Sequence, residues 1–476
     1  MNFEAVIGIE IHVEMKTKSK MFSCSYNSFG DDVNTNISPV DMAFPGSMPV
    51  VNKQAVINAI RVCNALHMSI DQELWFDRKN YFYSDLPKGY QITQQARPIG
   101  SSGYVEIEVN GENKRIHIER LHMEEDTCKQ LHLSDCSLLD YNREGTPLVE
   151  IVSLPEMRNG EEESKYVDAI KAIVVYADVS DGKMEEGSLR CDVNISLREV
   201  GSTKFGTKVE IKNLNSTANV ERAIDYEIKR QAEILNNGGI IEQETRRFDE
   251  TNKCTVLMRK KTDSVDYKYF TEPNIPPIYI DDEFVKNAIE SCPELADSKI
   301  KRYKELGLSS QEAHQMIADK DLTLYFDRCL KYTNLAKACW NFLVVDVVSY
   351  LNKRGLKSDS FTLNPELLVK LLQLIDKKEI SYAQGRKVFE CLLEKEEDPS
   401  KIVERLGLKQ NSNEGEIKAI VEEVLKENPQ SVIDFRAGKD RAVGFIIGQV
   451  MKKSRGKANP QIASKLVNEL LKTWEV

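Results

Sequence analysis

The chain runs to 476 residues, 41% of them hydrophobic, with a formal net charge of −10. That length exceeds what one compact core organises, so about two to four domains are expected, and the acidic balance argues against a protein that coats nucleic acid over its whole surface. The ten cysteines include no Cys-x-x-Cys pair, no stretch approaches the length of a membrane span, and residues 1–15 read as a strand rather than a signal peptide, which together point to a reduced, cytoplasmic protein.

The first predicted element is "GIEIHVEM" at 8–15, which alternates strictly. Ile9, Ile11, Val13 and Met15 share one face of an extended strand, and Glu10, His12 and Glu14 share the other. A helix follows Asn52, a plausible N-cap, with Ala55, Val56, Ala59, Ile60 and Cys63 at helical spacing. "FDRKNYFYSDLPKGYQITQ" (76–94) then gathers rings with Arg78, Lys79 and Lys88, either as a buried aromatic loop or as a site that stacks rings and binds anions. Residues 104–119 form a hairpin around Asn110-Gly111. In "RLHMEED" (120–126) the apolar phase slips between Ile118 and Leu121. A bulge is expected there, and it leaves open whether Glu124 or Glu125 points with Glu10.

Helices are predicted from "EEES" at 161–164 onward and from Ser216 to the pair Gly238-Gly239. Between them, 188–199 is a strand with Arg190, Asp192, Asn194, Ser196 and Arg198 on its polar face, and "TKVEIK" (207–212) returns with Lys208, Glu210 and Lys212. After the proline-rich "EPNIPPIYIDD" (272–282) the pattern becomes helical, with a second break near 409–416. The last helical unit reverses the acidic average: 436–457 holds seven basic residues against Asp440 alone. Such a reversal invites a polyanion. The succession predicts an α+β fold, a mainly antiparallel sheet domain followed by helical domains.

Several polar strand faces rich in Glu, Asp and His pose an electrostatic problem, because like charges directly opposite on paired strands destabilise them. A solvated face is one answer. A divalent cation is the other, and oxygen-rich donors with one imidazole suit magnesium or manganese, which commonly accompany nucleotide phosphates. "GSTKFGTK" (201–208) is not a P-loop: its last two residues are in the wrong order and it joins strand to strand. Neither a Rossmann fingerprint nor a nucleophile elbow is present.

The stretches "VIGIEIHVEMKTKSKMF", "FDRKNYFYSDLPKGYQITQ", "RLHMEED", "NREGTPLVEIV", "KMEEGSLRCDVNISLR", "GTKVEIKNLNS", "QETRRFDE", "DYKYFTEPNIPP" and "GFIIGQVMKKSRGKANP" closely resemble the B-subunit family of bacterial and organellar glutamyl/aspartyl-tRNA amidotransferases, from near residue 5 to about residue 460. The resemblance implies a cradle domain at 1–293, similar to the catalytic domain of glutamine synthetase. A helical domain at 294–407 and a tRNA-binding tail at 408–476 would follow. It implies ATP-dependent phosphorylation of the side-chain carboxylate of Glu (or Asp) mischarged on tRNA. Ammonia would come from a partner amidase (glutaminase), with a small third protein of the same heterotrimer tying the two together. Carried over by motif, Glu10, His12 and Glu125 (or Glu124) are candidate metal ligands for Mg2+, and Asp192 and Glu210 complete the acidic catalytic face. Lys79 is the candidate for stabilising phosphoryl charge, and Lys452, Lys453, Arg455 and Lys457 for meeting tRNA backbone. A glutamine-synthetase-like ligase for a small acid and a non-catalytic tRNA scaffold are the rival readings.

Two departures from the family pattern matter. Of the family's Cys-x-Cys and Cys-x-x-Cys pairs only Cys24 remains, so no structural zinc is expected and packing should hold that corner. Ser84 stands where proline commonly precedes the aspartate, freeing one φ angle.

Overall fold

The computed structural model describes residues 2–260, 266–409, 413–436, 441–454 and 458–474, so Arg455 and Lys457 lie outside the described residues. The chain divides into two compact units, Met1–Ser298 and Lys299–Val476.

In the first unit the elements that matter here are β1 (Phe3–Glu14), α1 (Lys53–Ala65), β2 (Ser69–Ile70), β3 (Asp77–Asn80), β4 (Tyr90–Thr93), β5 (Gly100–Val109), β6 (Glu112–Glu125), β7 (Pro147–Ser153), α2 (Gly160–Tyr176), β8 (Leu189–Glu199), β9 (Val209–Lys212), α3 (Thr217–Asn236), β10 (Glu244–Asp249), β11 (Cys254–Lys260) and β12 (Phe270–Thr271). Nine strands make one sheet in the order β11-β10-β9-β8-β1-β7-β6-β5-β2. The pairing is antiparallel throughout except between β9 and β10, which run parallel because α3 connects them as a crossover. One face is the core: Ile7, Ile9, Ile11 and Val13 of β1, Val193 and Ile195 of β8, and Tyr166, Ile170 and Val174 of α2 are buried together. Asn52 caps α1, accepting from the backbone of Gln54 and Ala55, and Ser216 caps α3.

The expected bulge is present. Val152 pairs with Arg120 but Ser153 with Ile118, so Glu119 is the extra residue on β6. Upstream of it Ile116 and Ile118 face the core, and downstream Leu121 and Met123 do. The slip leaves His122 and Glu124 in phase with Glu10 and His12 on the opposite face. A small sheet, β12-β3-β4, covers that end: Ile92 N donates to Glu125 (3.0 Å), Gln91 Nε2 to the Glu125 carbonyl (2.6 Å) and Met123 N to Gln94 Oε1 (3.0 Å).

The loop after β1 is held by one buried carboxylate. Asp41 accepts from the Ser25 hydroxyl (2.6 Å) and from Ser38 N (2.8 Å), and ion-pairs with buried Lys20 at 3.7 Å. Ser84, with its φ angle freed, is tied by its own groups: its hydroxyl accepts from Gln130 (3.0 Å) and its carbonyl from the Tyr141 hydroxyl (3.0 Å).

The second unit is helical, with one apolar cluster from Tyr303 to Val403 and another from Ile417 to Leu471. Among the described residues no helix is long and apolar enough to cross a membrane. The architecture is α+β, as the order of strand and helix signals predicts.

Candidate functional site

Register builds the site. Across three adjacent strands His12 of β1 faces Glu150 of β7, and Glu150 faces His122 of β6. Glu124, two residues along β6 from His122, completes the group. His12 Nε2 lies 3.3 Å from Glu150 Oε2 and 3.8 Å from Glu124 Oε1, while His122 Nε2 lies 3.2 Å from Glu150 and 3.6 Å from Glu124. One ligand atom each from His12, Glu124 and Glu150 falls within 4.8 Å of the other two.

The electrostatics follow from two carboxylates between two imidazoles in a largely buried place. Burial opposes charge on His122, but Glu150 and Glu124 outweigh it and push the imidazole up to about 9. Burial likewise opposes charge on His12, and the hydrogen bond and charge of Glu150 with Glu124 and Asp192 carry it above its ordinary value. Glu150 is held well below the usual carboxylate range: against burial, His122 and His12 stabilise its anion.

Glu10 sits beside this trio rather than in it. Burial and the charges of Glu150 and Asp192 raise its pKa, and it accepts from Asn194 Nδ2 at 3.1 Å. The candidate Glu125 turns the other way, so the carboxylate facing His12 is that of Glu124. Both Glu125 oxygens are engaged elsewhere, with Lys88 Nζ at 2.6 Å and Ile92 N at 3.0 Å. Past the bulge, alternation along β6 allows only one of two successive residues onto the site face. Asp192 and Glu210 do share the acidic face, but Lys212 interleaves them, 2.6 Å from Asp192 and 3.5 Å from Glu210. Lys79 on β3 comes close to the trio. Burial works against its charge, and Glu124, Tyr269 and Glu150 keep it protonated, raising its pKa. Its ammonium lies 5.0 Å from the centre of the Tyr267 ring.

Sequence reasoning missed Glu150. In "PLVEIV" it is the lone charge in an otherwise apolar run, and that exception was the available signal. The donor set of one imidazole and two carboxylates fits a hard divalent cation that keeps further positions for water or phosphate oxygens.

The N-terminal residues 5–286 match the family model described as the GatB/GatE catalytic domain, and residues 324–471 match the GatB domain. The chain is 50% identical over 471 residues to the B-subunit of the aspartyl/glutamyl-tRNA(Asn/Gln) amidotransferase of Bacillus licheniformis, covering 98% of this chain and 99% of that one. It is 51% identical over 471 residues to the Geobacillus thermodenitrificans counterpart, again covering 98% and 99%. Against that of Oceanobacillus iheyensis the identity is 49% over 473 residues, 99% of each chain. With both models matched and such identity held end to end, the chain belongs to the B-subunit family of aspartyl/glutamyl-tRNA(Asn/Gln) amidotransferases.

Proposed function

We propose that this chain uses ATP to activate the side-chain carboxylate of a glutamate or aspartate mischarged on tRNA and then amidates it with ammonia from a partner amidase. A carboxylate resists ammonia because its leaving group would be oxide, whereas a phosphorylated carboxylate releases phosphate. The transfer is chiefly a matter of positioning and charge neutralisation. The observation that carries this reading is the convergence of His12, Glu124 and Glu150 beside the Lys79 ammonium.

His12, Glu124 and Glu150 would hold Mg2+, which when bound neutralises charge on the transferring phosphoryl group. Lys79 supplies a fixed cation for the same charge. His122, outside the ligand set, holds the two carboxylates in place, its Nε2 3.2 Å from Glu150 and 3.6 Å from Glu124, and Lys212 keeps Asp192 and Glu210 together as the outer wall of the face. Glu10, hydrogen-bonded to Asn194, borders the trio on the Asp192 side. Residues 1–293 would act as the catalytic cradle and 294–407 as the helical domain. The tail at 408–476 would meet tRNA backbone through Lys452 and Lys453, with Arg455 and Lys457. A cytoplasmic location fits such a role in translation.

The test is amide formation on mischarged glutamyl-tRNA by the complete heterotrimer, with ATP, magnesium and free ammonium so that glutamine hydrolysis is bypassed. Glu150→Gln should lower both amidation and phosphate release by ~100-fold or more, the scale of losing one charge-stabilising group. A variant as active as wild type would make the acidic face structural and remove the basis of the assignment.

A further inference from the structure

A run of tyrosine rings borders the acidic trio. Tyr81 and Tyr267 stand edge to face with centroids 6.0 Å apart, and Tyr267 and Tyr269 repeat the arrangement at 6.1 Å. Their backbone is clamped. Asn80 N donates to the Tyr267 carbonyl at 3.0 Å and its side-chain amide donates to the Lys268 carbonyl at 2.7 Å. Lys268 itself takes a left-handed φ of 47°, uncommon for a residue other than glycine, and its N–H is held by Asp266 at 3.0 Å. That conformation sets Tyr267 and Tyr269 as neighbouring rings. The inner side of the run faces the charges: the Lys79 ammonium stands 5.0 Å from the Tyr267 ring centre, and β4, paired with the Lys79 strand, reaches Glu124 by donating from the Thr93 hydroxyl at 3.4 Å. The outer side is open, Tyr269 being 40% exposed.

We propose that the Tyr267–Tyr269 run is a stacking platform for the unpaired 3′-terminal base of the aminoacyl-tRNA, and that Tyr269 is thereby a positioning residue for the reacting side chain. The inference rests on the function proposed above. The amino acid and the terminal base hang from one ribose, so a base on Tyr269 leaves the amino-acid side chain within reach of His12, Glu124 and Glu150. The adenine of ATP is separated from its reacting phosphorus by the ribose and the whole triphosphate, and so suits a more distant seat. An open ring face also suits a base whose strand continues into solvent, and aromatic faces accept unpaired bases without regard to sequence.

The experiment uses the assembled complex and uncharged tRNA carrying 2-aminopurine in place of its terminal adenine, whose fluorescence falls on stacking. Wild type and Tyr269→Phe should quench it, while Tyr269→Leu should not, although tRNA still binds by anisotropy. In steady state Tyr269→Leu should raise KM for mischarged tRNA about 10-fold, the scale of one lost base–ring stack, and leave KM for ATP unchanged. Persistent quenching in Tyr269→Leu, or a rise in KM for ATP instead of tRNA, overturns the proposal. Because quenching is read without turnover, it stands or falls separately from the Glu150→Gln result.

Discussion

Glu163 is fully buried, and neither of its carboxyl oxygens has a hydrogen-bond partner among the described residues. Burial, with the neighbouring Glu162 charge, pushes its pKa up to about 8. The native state therefore binds a proton that the unfolded chain releases above the ordinary carboxylate pKa. The stabilisation is complete below that value and is lost as pH rises toward about 8, on the order of a few kcal/mol in total. Glu163→Met removes the group at similar volume. Denaturant unfolding at about pH 5 and about pH 9 should show wild type losing stability relative to the variant as pH rises, and parallel behaviour would refute this assignment. At this scale the sequence was readable where alternation was clean, as for Glu10 and His12. For Glu150 the one signal was a lone charge rather than a pattern, because the polar face of β7 is covered and Leu148 and Val152 on it are apolar. The choice between Glu124 and Glu125 needed the bulge to be placed to the residue.

At the scale of the element, the caps and turns were the most legible features, since each rests on local chemistry. Asn110 and Gly111 take φ of 53° and 81°, the turn their sequence predicts for the hairpin of β5 and β6. Asn52 does more than cap α1: its amide also donates to the carbonyls of Ser19 (2.9 Å) and Lys20 (3.0 Å), tying the helix to the loop after β1. Asn52→Ala should cost about 2 kcal/mol in urea unfolding, and Asn52→Asp, which keeps the cap and loses the donors, about half of that. Equal losses for the two would mean that the tie to the loop carries the whole effect. The parallel pair β9–β10 was not legible from strand patterns, which carry no direction. Only the strand–helix–strand order around α3 hints at it.

For the whole molecule, a net charge of −10 conceals how the tail uses its cations. Lys453 already lies 2.8 Å from Glu423 and 2.5 Å from Glu427, whereas Lys452 is exposed. If tRNA backbone binds this surface, Lys452→Ala should weaken binding across sequences and reduce the slope of log affinity against log salt by about 1. Lys453→Ala should change the slope less, because that ammonium is partly neutralised beforehand. Fluorescence titrations of the complex with tRNA over a salt series would read both, and a larger change for Lys453 would place the contact on the other side of the helix. The basic run was visible in sequence; its internal ion pairs were not, since their partners come from the helix Glu414–Glu427.

The extra residue at Glu119 has a genetic corollary. Removing that single codon would straighten β6 and leave everything downstream in phase, because Leu121 and Met123 would then follow Ile118 on the core face by simple alternation, with His122 and Glu124 still on the site face. The three-strand register that joins His12 to Glu150 and His122 would survive the loss. In a library of single-residue deletions, position 119 should therefore be better tolerated than position 123, where losing one residue turns Glu124 toward the core.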